Sequence, residues 1–203
     1  MKRFDRAMAD RIRAAVTAAE AGSAIEIVVR VAPASGGYRD VPWLVGVSAG
    51  TIMLAVALFA PIDVTPPFVI PEVALAGALG AWLARRVRLA RWLTSPRRRA
   101  AQALEGARAS FHTEAVGDTR AHTGVLVYAS VLEDCIVVLP DRALEGRAPG
   151  ATWGAVAKVG RAADAALPER LLAVLAALGQ LGREHVPCTE EDINELSDEP
   201  RIG

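Results

Sequence analysis

The sequence predicts an α/β fold, a small α/β sandwich interrupted by a two-helix transmembrane hairpin. Three observations predict it. Two apolar runs, Pro42–Ala60 and Pro66–Ala84, lie five residues apart. Short β-branched runs stand on both sides of them, at 24–31, 124–130 and 134–139. Around these runs apolar residues recur at intervals of three and four, the period of a helix that buries one face.

Taken in order, Phe4, Met8, Ile12, Ala15, Val16 and Ala19 make residues 4–21 an amphipathic helix, which Gly22 is suited to end. The same segment, Met1–Glu20, is charged and lacks the apolar core of a signal peptide, so insertion is expected to use the internal spans. Ala24–Val31 reads as a strand, and Pro33–Tyr38 as the loop that leads to the first apolar run. Each run is about 19 residues, which at 1.5 Å per residue matches a hydrocarbon core of about 30 Å. The first run has no charge, and the second has only Glu72, near the end away from the arginines, where a carboxylate can reach the interface. Helix pairs of a soluble protein show a polar face at a period of 3.6. Here the first run offers only Ser48 and Thr51, which can bond back to their own helix. Gly46 with Gly50, and Gly77 with Gly80, provide small faces on which the two helices can approach.

The flanks give an orientation. Arg85, Arg86, Arg88, Arg91, Arg97, Arg98 and Arg99 follow the second run with no acid before Glu105, whereas the connecting residues 61–65 have no base. Basic residues stay on the cytoplasmic side, so both termini are expected there, with the protein in the cell membrane as a two-span protein. Lys and Arg together equal Asp and Glu at 23 each, but the charge is polarised between this arginine band and an acidic end, Thr189–Glu199. The arginines are expected to meet lipid headgroups, not nucleic acid, because no aromatic base-stacking pattern accompanies them. Trp43, Trp82 and Trp92 stand near the span ends, where indole prefers the interface. The expected partners are therefore the lipid bilayer and a membrane protein.

Beyond the band, Ser95-Pro96 reads as an N-cap with proline at the first helical position, opening a helix over 97–115. Gly124–Ser130 and Asp134–Leu139 form an antiparallel pair, and helices are expected around Trp153–Ala165 and Pro168–Glu184. The order is α-β-(hairpin)-α-β-β-α-α. Residues 1–40 and 85–188 then form the two parts of one domain, 41–84 the hairpin, and 189–203 a loosely held acidic tail. Strands that are apolar throughout predict a sheet covered on both faces.

The segments Ala19–Val31, Thr119–Ser130 with its Thr123-Gly124-Val125-Leu126, and Asp134–Asp141 resemble the TPM-domain family. The resemblance covers the chain outside the hairpin, and is to the bacterial membrane subgroup in which a transmembrane pair interrupts the domain after the first strand. It implies an α/β sandwich, and, as suggested for some relatives, acid phosphatase activity and divalent metal binding by acids. Where many members have a Gly-aromatic-Gly turn after the last strand, this chain has Asp141-Arg142-Ala143-Leu144.

For chemistry, the best-placed acids are Glu26 within the first strand, Glu133 and Asp134 at the β-turn, and Asp141 just past the third strand. Strand-end carboxylates that converge can bind Ca²⁺ or Mg²⁺, which need several oxygen ligands, so Glu26, Asp134 and Asp141 are the candidate metal set. The plainer expectation is that Glu133 and Asp134 form a solvated turn and Asp141 pairs with Arg142. No nucleophile has a recognisable base: His122 and Thr123 are adjacent in an extended segment and point apart. No GxSxG, P-loop or phosphatase cysteine loop is present. Cys135 and Cys188, with His112, His122 and His185, show no zinc spacing and are expected to be reduced structural thiols and isolated imidazoles. The expected function is a membrane-anchored interaction or assembly module. The alternative is a divalent-metal-dependent phosphatase-like hydrolase.

Overall fold

The computed structural model describes residues 4–60, 66–86, 90–162, 164–188 and 196–203. They fall into two compact units, one formed by the chain up to Gly36 together with Ala100–Gly203, the other by Gly37–Arg99.

In the first unit, helix α1 (Arg6–Glu20) starts at Asp5, whose carboxylate accepts the Met8 amide at 2.9 Å and so satisfies one of the helix's unpaired donors. Gly22 ends it with a positive φ of 79°. Strand β1 (Glu26–Ala32) follows. The hairpin unit supplies α2 (Asp40–Phe59), α3 (Pro66–Arg86), a short α4 (Ala90–Leu93) and the first turn of α5 (Pro96–Thr113). The chain then forms β2 (Gly124–Ser130), β3 (Cys135–Pro140), α6 (Arg142–Glu145), α7 (Gly150–Gly160), α8 (Leu167–His185) and β4 (Arg201–Ile202).

The sheet order is β3-β2-β1-β4. β1 and β2 run parallel from Glu26 opposite Gly124 to Ala32 opposite Ser130, while β3 is antiparallel to β2. Alternation along the strands makes two cores. Ile27, Val29, Val31, Val125 and Val127 pack with Ile12 and Val16 of α1 and with Leu171, Leu175 and Leu178 of α8. Val28, Ala32, Leu126 and Tyr128 face the other way, onto Ala107 of α5 and Val116. Helices on both faces explain why β2 is buried along its whole length, and make this the expected α/β sandwich.

The structure departs from the sequence reading in three places. Helix α5 ends at Thr113, not 115, because Ala115 adopts a left-handed φ of 54°. The helix expected at 153–165 begins earlier, after Pro149, and ends at Gly160. The C-terminal residues 196–203 are also tied down. Arg201 and Ile202 pair with Arg30 and Val31, the Gly203 amide donates to the Val31 carbonyl at 3.2 Å, and Leu196 packs on the second core. An uncovered β1 would leave a row of backbone groups without partners. Residues 189–195 of the expected tail lie outside the described residues.

In the second unit, α2 and α3 are both long and apolar enough to cross a membrane, and the expected connection at 61–65 lies outside the described residues. They meet through glycine. A Cβ on Gly46 would lie 2.9 Å from the Gly77 carbonyl oxygen and 3.0 Å from the Ala81 Cβ, so any larger residue must part the helices. Outward, Trp43, Ile52, Leu58, Phe68 and Ile70 are each more than half exposed. This is the reverse of a water-facing helix pair.

Gly46→Leu is expected to lower the stability of the α2–α3 pair by about 1–3 kcal/mol, the usual cost of overpacking. Gly154→Ala in α7, where nothing lies within 4 Å of the added carbon, should instead raise stability by about 0.5–1 kcal/mol. Melting in detergent, followed by Trp43 and Trp82 fluorescence in a Trp92→Phe, Trp153→Phe background for the first and by circular dichroism for the second, checks both.

Candidate functional site

The three acids read as a metal set occupy different places. Asp141 and Asp134 flank opposite ends of β3, seven residues apart, which is about 23 Å along an extended strand. Glu26 and Asp141 are at the same end: Glu26 is opposite Gly124, and the Asp141 amide donates to the Gly124 carbonyl at 2.9 Å. They are still two strand spacings apart, about 9–10 Å between backbones. The space over Gly124 is taken, since a Cβ there would lie 2.0 Å from the Val116 carbonyl oxygen. Among the described residues, no group of three or more His, Cys, Asp or Glu side chains is arranged to hold a metal ion. Glu26, Asp134 and Asp141 therefore do not converge on a shared Ca²⁺ or Mg²⁺, because the strand register puts Asp134 at the end of the sheet remote from Glu26 and Asp141.

Each acid has local work. Asp141 caps α6, accepting the Ala143 amide at 3.3 Å, and its other oxygen lies 3.2 Å from His122 Nδ1, not against Arg142. His122 sits at a φ of 53°, the conformation that turns its ring toward Asp141. Asp134, at a φ of 55°, meets the buried Arg170 guanidinium at 2.5 Å. Arg170 also donates to the carbonyls of Gly160 and Asp134, at 3.2 and 3.3 Å. One cation thus joins the β2–β3 turn to the end of α7. Burial pushes the neighbouring Cys135 thiol up, against the pull of Arg170 and Arg161, which makes it a poor nucleophile at neutral pH.

Glu133 is no solvated turn residue. It is 4% exposed, at the C-terminal ends of the parallel strands. One carboxylate oxygen accepts the amides of Ser35 and Gly36 at 3.0 and 3.2 Å, and the other accepts the Ser130 hydroxyl. Ser35 Oγ in turn lies 2.7 Å from Ser130 Oγ and 3.0 Å from Tyr128 Oη. This buried network fixes the chain as it leaves β1, at the last residues of the first unit before the hairpin. Its sequence trace is faint: two hydroxyls spaced by two in an otherwise apolar strand, followed by an acid.

At the opposite end of β1, Glu20 accepts the Ile27 amide at 2.8 Å and stands near Asp198 and Glu26. Burial, with added repulsion from those two carboxylates, pushes Glu20 up to about 7 despite the amide's contribution. Thr17 donates to Asp198 at 2.8 Å, and Arg13 meets Glu199 at 2.8 Å. The C-terminal segment is thus docked beside a cluster of acids.

Within the hairpin unit, Arg98 grips Asp40 through both terminal nitrogens, at 2.6 and 3.0 Å, and its guanidinium lies 5.8 Å from the Tyr38 ring centre. The Ser95 hydroxyl accepts the Arg98 amide at 3.3 Å, as its N-cap position predicts. An open apolar groove of about 530 Å³ runs along the helix pair, lined by Trp43, Gly46, Gly50, Val73, Gly77 and Ala81.

Glu133→Ala should cost about 3 kcal/mol in urea unfolding, since it leaves the buried Ser130 hydroxyl and the half-buried Ser35 and Gly36 amides without their acceptor, at about 1–3 kcal/mol for a fully buried donor; Glu133→Gln, which keeps an acceptor oxygen, should cost clearly less. Glu20 holds its proton more tightly in the folded chain than in the unfolded one. Its contribution is therefore fully present below about pH 4.5 and is lost as pH rises through about 7. Urea midpoints should fall across that window, and Glu20→Gln should flatten the fall; an equal slope in the variant would remove Glu20 as the cause.

No protein-family model matches the chain, and no curated protein matches its sequence. Among solved structures it is similar to the NMR structure of the BA42 protein from the psychrophilic bacterium Bizionia argentinensis, at 15% identity and a TM-score of 0.56, covering 98% of this chain and 94% of that one. At that identity the likeness is one of fold.

Proposed function

We propose that the chain is a TPM-like domain of the bacterial membrane subgroup, anchored by a hairpin that crosses the inner membrane twice and leaves both termini in the cytoplasm. Its role on this reading is an interaction or assembly module. The observation that carries it is the place of the hairpin. A helix pair whose large apolar side chains face outward is inserted between β1 and β2, two strands that neighbour each other in the sheet. The element order, with the apolar pair after the first strand and the Thr123–Leu126 strand after α5, supports the family assignment. The dispersal of Glu26, Asp134 and Asp141, each in its own surroundings, favours a module over a metal-dependent hydrolase.

Reporter fusions test the topology: a fusion at the C-terminus should report the cytoplasm, and one within residues 61–65 the opposite side. Both on one side would refute the hairpin. Purified protein is expected to show no phosphomonoester turnover with Mg²⁺ or Ca²⁺. Turnover that disappears in Asp134→Asn or Asp141→Asn would replace the module reading with the hydrolase.

A further inference from the structure

We infer that the root of the hairpin is a binding site for anionic glycerophospholipid headgroups, in which Arg85 and Arg97 take lipid phosphate and Trp43, Trp82 and Trp92 seat at the interface. The inference rests on reading α2 and α3 as membrane spans, and adds the class of lipid they select.

The helix register sets out the site. Gly46 lies against Gly77 and Ala81, and Gly50 against Val73 and Gly77. Continued toward the root, this antiparallel register brings Trp43 level with Trp82 and Asp40 level with Arg85. Both indoles are more than half exposed, and Trp92 in α4 is 87% exposed with Leu93 beside it. Side chains of this kind are stable at the boundary between hydrocarbon and headgroup, where the ring is dry and its N–H is wet. The level of Asp40 and Arg85 is then that of the phosphates.

The arginines at this level divide into two kinds. Arg98 is committed, with its terminal nitrogens on Asp40 and its plane near Tyr38. By taking up the Asp40 carboxylate it also removes the acid that could neutralise its neighbours. Arg85 and Arg97 are exposed, and among the described residues neither pairs with a carboxylate. Guanidinium groups at phosphate height, with no acid to satisfy them, are complementary to an anionic headgroup and gain little from a zwitterionic one.

The test uses the full chain in zwitterionic detergent, mixed with equal amounts of phosphatidylglycerol and phosphatidylcholine, with retained lipid read by native mass spectrometry. Phosphatidylglycerol should be retained roughly tenfold or more in preference, since each arginine near an anionic surface contributes about fivefold. The double variant Arg85→Gln, Arg97→Gln should bring the two lipids near parity while its circular dichroism is unchanged. Arg98→Gln should weaken the preference, because it frees the Asp40 carboxylate to neutralise the neighbouring arginines, and should lower the thermal midpoint as the clamp opens. Inorganic phosphate in excess over lipid should leave the preference intact; its loss would show a phosphate site and not a lipid one, and would overturn the proposal. Equal retention of the two lipids, or an unchanged preference in the double variant, overturns the headgroup site alone. A chain that stays dispersed without detergent and retains neither lipid overturns the membrane-span reading with it.

Discussion

The pairing of β1 with β2 is the constraint on which the rest of the first unit depends. The two strands run parallel and in register over seven residue pairs, although residues 33–123 lie between them. A parallel pair cannot be closed by a tight turn; it needs a crossover that returns the chain to the starting end of the sheet. Helix α5 makes that return, packing Ala107 on the face formed by Val28, Leu126 and Tyr128. The hairpin is accommodated because it is inserted in a crossover that already had to be long. The entropy of closing a loop grows only slowly with its length.

Buried charge in this protein serves to hold backbone and turns in place. Glu133 holds the amides of Ser35 and Gly36, Glu20 holds the Ile27 amide, and Arg170 holds the carbonyls of Gly160 and Asp134 together with the Asp134 carboxylate. The contacts of Glu133 and Asp134 span segments well apart in sequence, whereas that of Glu20 ties α1 to the strand that follows it. A buried charge is tolerated when donors or acceptors surround it and becomes costly when one partner is removed. These residues are therefore places where the fold is specified, and the Glu133 and Asp134 carboxylates, already engaged by donors, are poor ligands for a mobile cation.

The local elements were legible because their signals are local. The periodicity of Ile12, Val16 and Ala19, the Ser95-Pro96 cap and the short apolar runs of β2 and β3 lie within single windows of sequence. The glycine seam of the hairpin was legible too, because Gly46, Gly50, Gly77 and Gly80 are spaced by whole turns. The candidate site was not, for a reason of register. Asp134 and Asp141 both flank β3, and only the length of that strand tells that they are remote. Glu133 looked like a turn residue because two of its donors are backbone amides from a segment nearly a hundred residues earlier. The C-terminal strand was hidden in the same way: Arg201 and Ile202 are strand only because the outer edge of β1 is there to receive them.

The long crossover also sets an order of assembly during synthesis. β1 leaves the ribosome first, and its partner β2 is complete only after residue 130; at the usual 5–20 residues per second that is an interval of about 5–20 s. In that interval the two apolar helices are finished and can reach a bilayer, since they depend on each other and not on the sheet. The sheet is therefore the last part to close, and an unpaired run of Ile27, Val28, Val29 and Val31 must be shielded until it does. The helix pair can therefore form before the domain folds, and β1 must wait for its parallel partner until that whole connection has been made.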